Sequence, residues 1–552
     1  MKIWQKNPGL RSVAIAAALF WVICTGLVLW RFYNFFPSDV SFDQGIFNQV
    51  FWNSLHGRFF QSSLSSTESS AVLYDGAVPD VVYQRLAQHF TPSLLLWLPV
   101  YALFQSPAGL SILQVTLITL AGFVLYALAR HYHPPHLSAL ITISYYCGNA
   151  VIGPTVANFH DFSQVPLYIF GLLLALEKRW WWLFVTLAAL TLAVREDAGI
   201  VLFGIGIYLM VSRRFPRIGL GLCAVSVVYV VTVTNVVMPS FANDIGRRFM
   251  VEQYGQFVQG VDNPSTLDVL KGILQDPVRT VREVVMPFNR TLNYFLGYWV
   301  PLAFIPSISI SAWVLAGVPL FNILIQNDPD ALSLQLRYAL AVIPGLFYGT
   351  ILWWSKHPLH FKPWFRRFWV GCLGLALLFT LTSNPNRAFS VVFPDSFRPW
   401  VYITAGRQLH HSQAIRQLLG QIPAEASVSA TGHIVSHLSN RREVVRFPEL
   451  RIRGDDRKDS RVEYIVMDLW YPLQYQPAFF NDLNFLKFLS DRLTRITETS
   501  RYQLIDFQDG AALLQWGAEP NPSAVANWEA FYNEIKPIIQ ASHSEMPDSP
   551  RV

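Results

Sequence analysis

The sequence predicts an α-helical polytopic membrane protein of about 11 spans with a small water-facing α/β domain, and three observations predict it. Residues 291–327 run for 37 positions without an Asp, Glu, Lys or Arg, and residues 86–129 do so for 44. A helix facing water needs a polar stripe, so no soluble domain of this size hides that much uninterrupted apolar chain. Composition agrees: 52% of the residues are hydrophobic and only 14% charged, against about 25% charged in soluble domains. Nearly half of those charges fall after residue 384, where the pattern changes to that of a small α/β module.

Four basic clusters set the expected topology: Arg130 to His136, Lys178-Arg179, Arg213 to Arg217, and Lys356 to Arg367. Holding all four in the cytoplasm places spans near 12–31, 109–130, 137–154, 164–177, 181–195, 198–212, 217–238, 293–306, 309–326, 338–354 and 368–383. The N-terminus is then cytoplasmic and the C-terminal domain lies outside the plasma membrane, which for a bacterial host is the inner membrane and the periplasm. The net charge of +6 comes largely from these span ends, which reads as topology and not as nucleic-acid binding. Ser12 to Trp30 follows basic residues like a signal peptide, but it is long and lacks a small-x-small exit, so it reads as an uncleaved first span. Cys24, Cys147, Cys223 and Cys372 each lie in an apolar run and read as packing residues.

His89 to Phe104 is apolar but short and carries Pro92 and Pro99. A crossing there would invert every later basic cluster, so it is expected to be re-entrant, its irregular backbone buried in protein. The expected domains are a membrane domain over 1–383 with a long outer loop at 32–88, an α/β domain over 384–518, and a flexible tail over 519–552. In the α/β domain, helices are expected over 408–419 and 485–493. Short strands fall at 426–430, 444–447 and 462–469, and 502–507 pairs with 511–515 across Gln508-Asp509-Gly510.

The candidate site residues lie beside the spans, where an ionisable group is costly unless it is useful. Asp39 and Asp43 are four apart and share a face on a helix, while Ile46, Phe47, Val50 and Phe51 make an apolar stripe expected to lie in the membrane surface. A carboxylate at that boundary suits proton removal from an acceptor hydroxyl; it equally suits a helix cap. His89 opens the segment expected to be re-entrant, where it holds a phosphate, donates a proton or caps the segment. His160 and Asp161 form a second pair. Arg195, Glu196 and Asp197 end an otherwise apolar helix, as a site or as an ion pair locking helix ends. Arg337 gives a cation at the outer boundary, for a lipid phosphate or for snorkelling to headgroups. No GxGxxG, Walker, HExxH or GxSxG motif is present, which argues against soluble-type nucleotide hydrolysis. No metal ligands are assigned, since no DxD-type pair forces a divalent ion, and a divalent cation stays open as a cofactor.

In order along the chain, FDQGIFNQVFW, QHFTPSLLLWLPVYALF, NFHDFSQVP, VREDAGI, LSLQLRYALAVIPGLF and ASVSATGHIVSHLSNRREVVRFP with VEYIVMDL resemble the DUF2079 family of predicted bacterial membrane proteins. The resemblance covers most of residues 30 to 515. That family looks distantly similar to the GT-C glycosyltransferases, which use polyprenyl-phosphate-linked sugars and place a catalytic aspartate in the first outer loop. The resemblance implies a GT-C-like bundle, Asp43 as base, membrane lipids and a polyprenyl-phosphate sugar donor as partners, and no nucleic acid. This chain has Asp161 where members often carry proline and Arg195 where they often carry Lys. Two other classes stay open: a lipid or solute transporter or flippase using the same ionisable groups, and an envelope interaction protein anchored by its spans.

Overall fold

The computed structural model describes residues 8–36, 41–261 and 263–541. They form two compact units, one of residues 1–29, 69–75 and 84–386, the other of residues 30–68, 76–83 and 387–552.

The first unit is helical. Each of the eleven apolar stretches forms a helix or a broken helix. Pro8–Tyr33, Pro107–Tyr132, Pro216–Ser240 and Pro363–Ser383 are long and apolar enough to cross a membrane; Trp181–Leu192, Gly199–Val211 and Ile310–Leu324 are apolar but shorter. The stretch 137–154 breaks at Gly148, whose extended backbone separates Pro135–Cys147 from Asn149–Val156. Residues 90–104 form a 3₁₀ segment, Pro92–Trp97, running into the short helix Leu98–Leu103. Together these reach roughly 20 Å, less than the ~30 Å hydrocarbon core. Small residues let the helices approach closely: a Cβ on Gly206 would sit 2.6 Å from Cys223 Sγ and 2.8 Å from the Gly219 carbonyl.

The four basic clusters meet at one end of this unit. Arg214 donates through both terminal nitrogens to Glu177, each at 2.8 Å, and to the Tyr132 hydroxyl at 3.0 Å; Tyr348 also hydrogen-bonds Glu177. His136 stacks on Phe361 with ring centroids 5.7 Å apart, joining the first cluster to the last.

The second unit is an α/β module. Its strands are β1 (Ser396–Phe397), β2 (Trp400–Val401), β3 (Val428–Ala430), β4 (Val444–Arg446), β5 (Arg451–Arg453), β6 (Asp459–Arg461), β7 (Tyr464–Asp468), β8 (Tyr502–Gln508) and β9 (Ala511–Trp516). The main sheet has the order β4-β3-β7-β9-β8, with β4, β3 and β7 parallel and β9 and β8 antiparallel. Alternation along β7 divides the core. Ile465 and Met467 pack with Leu486, Leu489 and Leu493 of the helix Phe480–Thr499, and Tyr464 and Val466 with Ile415 and Leu418 of the helix Ala405–Leu419. The β8–β9 turn places Asp509 and Gly510 at φ of 50° and 79°, as a two-residue hairpin requires. The hairpin β5–β6 has no counterpart among the sequence expectations; its strands are three residues long and charge-rich.

Two expectations are corrected. The tail expected to be flexible from 519 holds a helix, Pro522–Ala541, whose Ala524, Trp528 and Ile535 enter the module's core. Their spacing puts them on one face; residues 542–552 of that expectation lie outside the described residues. The helix Ser41–Leu55 was expected to lay its apolar stripe in the membrane surface. Instead Ile46, Phe47, Val50 and Phe51 are at most 4% exposed, and Ile46 joins the core of the C-terminal module with Val428 and Val435. Its polar residues Asn48, Gln49 and Asn53 are equally buried, so the helix has no face left for lipid. Residues 30–68 and 76–83 of the first outer loop thus belong to the compact C-terminal unit, and the helical unit runs to Asn386.

Candidate functional site

The end of the helical unit away from the basic clusters carries the charged turns. Asp161 precedes the helix Val165–Lys178 and Glu196 follows Trp181–Leu192, so each turn lies one helix length from the Lys178-Arg179 cluster. The segment Pro92–Leu103 is bound to both turns. The Ser93 amide donates to the Ala193 carbonyl at 2.9 Å, its hydroxyl accepts from Gln164 at 3.1 Å, and Trp97 donates to Gln164 at 2.7 Å. Gln114, inside an expected span, donates to the Pro154 carbonyl at 2.9 Å and accepts from the His160 amide at 2.8 Å. These glutamines anchor the site and were missed from sequence. The signal was present, because an amide in an otherwise apolar span needs a partner.

Glu196 accepts from the Phe90 amide through one carboxylate oxygen and contacts His89 Nδ1 through the other, each at 2.8 Å. Burial acts on both side chains, and the charge of Arg195 only partly offsets it at the carboxyl. Glu196 is pushed up to about 7, and His89 is held well below its ordinary value by burial and then by Arg195. The pair is therefore neutral below about 7 and carries one negative charge above it.

Arg195 is 3% exposed. It donates to both Asp197 oxygens, Nε at 2.7 Å and Nη2 at 2.5 Å, and lies 4.1 Å above the Phe162 ring centroid. Its Nη1 has no hydrogen-bond partner and stands 3.9 Å from Asp161 Oδ1. Asp161 Oδ1 meets His160 Nδ1 at 2.9 Å and the Phe162 amide at 2.8 Å, while Oδ2 has no hydrogen-bond partner. Burial alone would raise Asp161, but the His160 hydrogen bond and the Arg195 charge bring it below its ordinary value.

Beside this cluster opens a cavity of about 700 Å³ within the same unit. His89, Arg195, Glu196, Asp197 and Arg337 line its polar part, and Phe203, Val230, Val269, Leu270, Ile273 and Phe321 line its apolar walls. Arg337 donates to the Tyr338 hydroxyl at 3.2 Å. Arg248, Gln253 and Tyr254 also line the cavity and were not singled out from sequence, because they come from the loop between spans.

The structure therefore brings together His89, His160, Asp161, Arg195, Glu196, Asp197 and Arg337 in one unit. Asp43 belongs to the other unit, in the first turn of Ser41–Leu55 and half-buried. Asp39 lies outside the described residues. Among the described residues, no group of three or more His, Cys, Asp or Glu is arranged to hold a metal ion.

A helical unit of long apolar helices, with buried charges concentrated at one end and a cavity beside them, defines a polytopic membrane protein with a compact α/β module. The chain belongs to the DUF2079 family, described as predicted membrane proteins, which matches residues 32–513. No curated protein matches it. Among solved structures it is similar to ArnT from Cupriavidus metallidurans bound to undecaprenyl phosphate, at 11% identity over 92% of this chain and 99% of that one, with a TM-score of 0.47. It is also similar to ArnT from the same organism in the apo state, at 11% identity over 92% and 100% of the two chains, with a TM-score of 0.36.

Proposed function

We propose that this protein is a GT-C-like membrane glycosyltransferase that takes a sugar from a polyprenyl-phosphate donor at the outer face of the membrane. One observation carries the reading: a cavity with apolar walls has two guanidinium-bearing residues, Arg195 and Arg337, in its lining. Apolar walls suit a polyprenyl chain, and guanidinium groups suit its phosphate. In this reading Arg195 and Arg337 hold the phosphate, and His89, His160, Asp161, Glu196 and Asp197 shape and tune the site. Asp43 removes the proton of the acceptor hydroxyl.

Orientation follows from the basic clusters. Their meeting at one end of the helical unit supports placing that end in the cytoplasm, with the charged turns and the α/β module outside.

Native mass spectrometry with undecaprenyl phosphate tests the lipid site. Arg195→Gln is expected to bind about 10- to 100-fold more weakly, the loss of a charge-assisted pair; unchanged affinity removes Arg195 from the site. Transfer from glycosyl undecaprenyl phosphates tests the reaction, with Asp43→Asn expected to abolish it while binding persists. Wild-type protein that binds the lipid phosphate but transfers nothing would favour a lipid carrier.

A further inference from the structure

We infer that the C-terminal α/β module positions Asp43, with Gly45, Asn48 and Gln49 as the positioning residues. The inference rests on reading Asp43 as the base. It concerns one compact unit, in which the first-loop helix and the module share a single core.

The helix Ser41–Leu55 is 15 residues long and would be marginal alone in water. Here it is fixed on several sides of the turn that carries Asp43. Asn48 donates to the Ser439 hydroxyl at 2.8 Å and also to Asn440. Gln49 donates to Ser63 at 2.9 Å and to the Arg441 and Arg442 carbonyls at 3.1 and 3.2 Å. Its oxygen accepts from the Ser62 hydroxyl at 2.8 Å and the Leu64 amide at 3.1 Å. Both amide side chains are fully buried, so rotating or sliding the helix would strand several buried polar groups.

Packing closes the remaining freedom. A Cβ on Gly45 would stand 3.2 Å from Val435 Cγ1 and 3.3 Å from Ser436 Cα, both on the segment Gly432–Leu438. Phe42 lies 4.7 Å beneath the Arg446 guanidinium, which pairs with Glu68 at 3.0 Å. Phe42 and Ile46 enter one apolar cluster with Ala430, Ile434 and Val435. Residues 42, 45, 46, 48 and 49 are all buried, and Asp43 between them keeps partial exposure. The amphipathic pattern that suggested a membrane-surface helix is thus a docking pattern for the module. A module that merely binds a partner in the envelope has no need to share its core with this helix.

The test uses the full-length protein in detergent micelles, with amide hydrogen exchange and steady-state turnover of a panel of glycosyl undecaprenyl phosphates. Gln49→Ala is expected to speed exchange across 44–55 at least about tenfold while 199–211 stays as in wild type. Its kcat should fall by up to about 100-fold, as for a displaced catalytic group, with KM and undecaprenyl phosphate affinity unchanged. Gly45→Ala, the milder change, should keep exchange protection and still lower kcat, which guards against Gln49→Ala simply failing to fold. Wild-type turnover in both variants, beside an inactive Asp43→Asn, overturns the positioning inference and leaves the base intact. Unchanged exchange in Gln49→Ala overturns it as well. An active Asp43→Asn removes Asp43 as the base and overturns the inference with it, whereas a wild-type protein that turns over none of the donors overturns the enzyme reading itself, and exchange alone then decides whether the module holds the helix.

Discussion

His89 and Glu196 stand 107 residues apart in sequence and meet through a 2.8 Å contact between His89 Nδ1 and Glu196 Oε1. The contact ties the start of the short segment 89–104 to the turn between two apolar helices. Because both groups are buried and neither is strongly compensated, the pair is neutral below about 7 and anionic above it.

Binding of undecaprenyl phosphate to this site should therefore weaken as pH rises through about 7, when a carboxylate charge appears beside the lipid phosphate. The expected loss is about tenfold, and Glu196→Gln should remove it, leaving only the change due to the lipid phosphate's own second ionisation at about 6. The stability sign is the same. A carboxyl raised from 4.5 to about 7 contributes stability that is complete below 4.5 and lost as pH rises through about 7. Lipid titrations at pH 6 and pH 8.5 on both proteins check this; equal slopes would count against the pair.

The α/β module holds a second buried ionic cluster. Asp468 ends β7 and accepts from His433 Nε2 at 2.8 Å and His411 Nε2 at 3.2 Å, while His411 Nδ1 lies 3.0 Å from Asp509. Arg407 pairs with Asp509 through both terminal nitrogens. Burial disfavours the His411 cation, but Asp468 and Asp509 raise its pKa above 6.5 on balance. That contribution is present below 6.5 and lost as pH rises past the raised value. Burial would raise Asp468, yet the two histidines hold it below 3.8; its contribution is present above 3.8 and lost as pH falls through the lowered value. The module should be most stable between these limits. Hydrogen exchange of 405–419 should be slower at pH 6 than at pH 9 after correction for intrinsic rates, and His411→Gln should remove the difference at a cost of about 1–3 kcal/mol.

Fusion of a phosphatase after Val552 tests orientation. Phosphatase activity is expected, because the basic clusters that meet through Arg214, Glu177, His136 and Phe361 belong in the cytoplasm. A fluorescent reporter that works only in the cytoplasm would place the module inside and remove the outer-face reading.

The sequence by itself determined the class of this protein and most of its elements. Long uninterrupted apolar runs favour membrane helices and basic clusters punctuate them, so the eleven helical stretches were legible from composition along the chain. The strand ending at Asp468 and the turn at Asp509-Gly510 were also legible, because a short apolar run and a turn dipeptide are local signals. The candidate residues from His89 to Arg337 were legible as isolated costly charges. Which of them meet was not, since a contact across 107 residues leaves no local trace.

Tertiary structure decided the rest. Only packing could show that Gln114 and Gln164 anchor the turns, or that Trp528 and Ile535 dock a segment expected to be loose. The helix bearing Asp43 is the clearest case. Its apolar stripe fits lipid or protein equally well, and the choice rests on Asn48 and Gln49, whose partners lie near 440. Burial of a polar amide is favourable only where its hydrogen bonds are met, and that condition is set by residues almost 400 positions away in the chain.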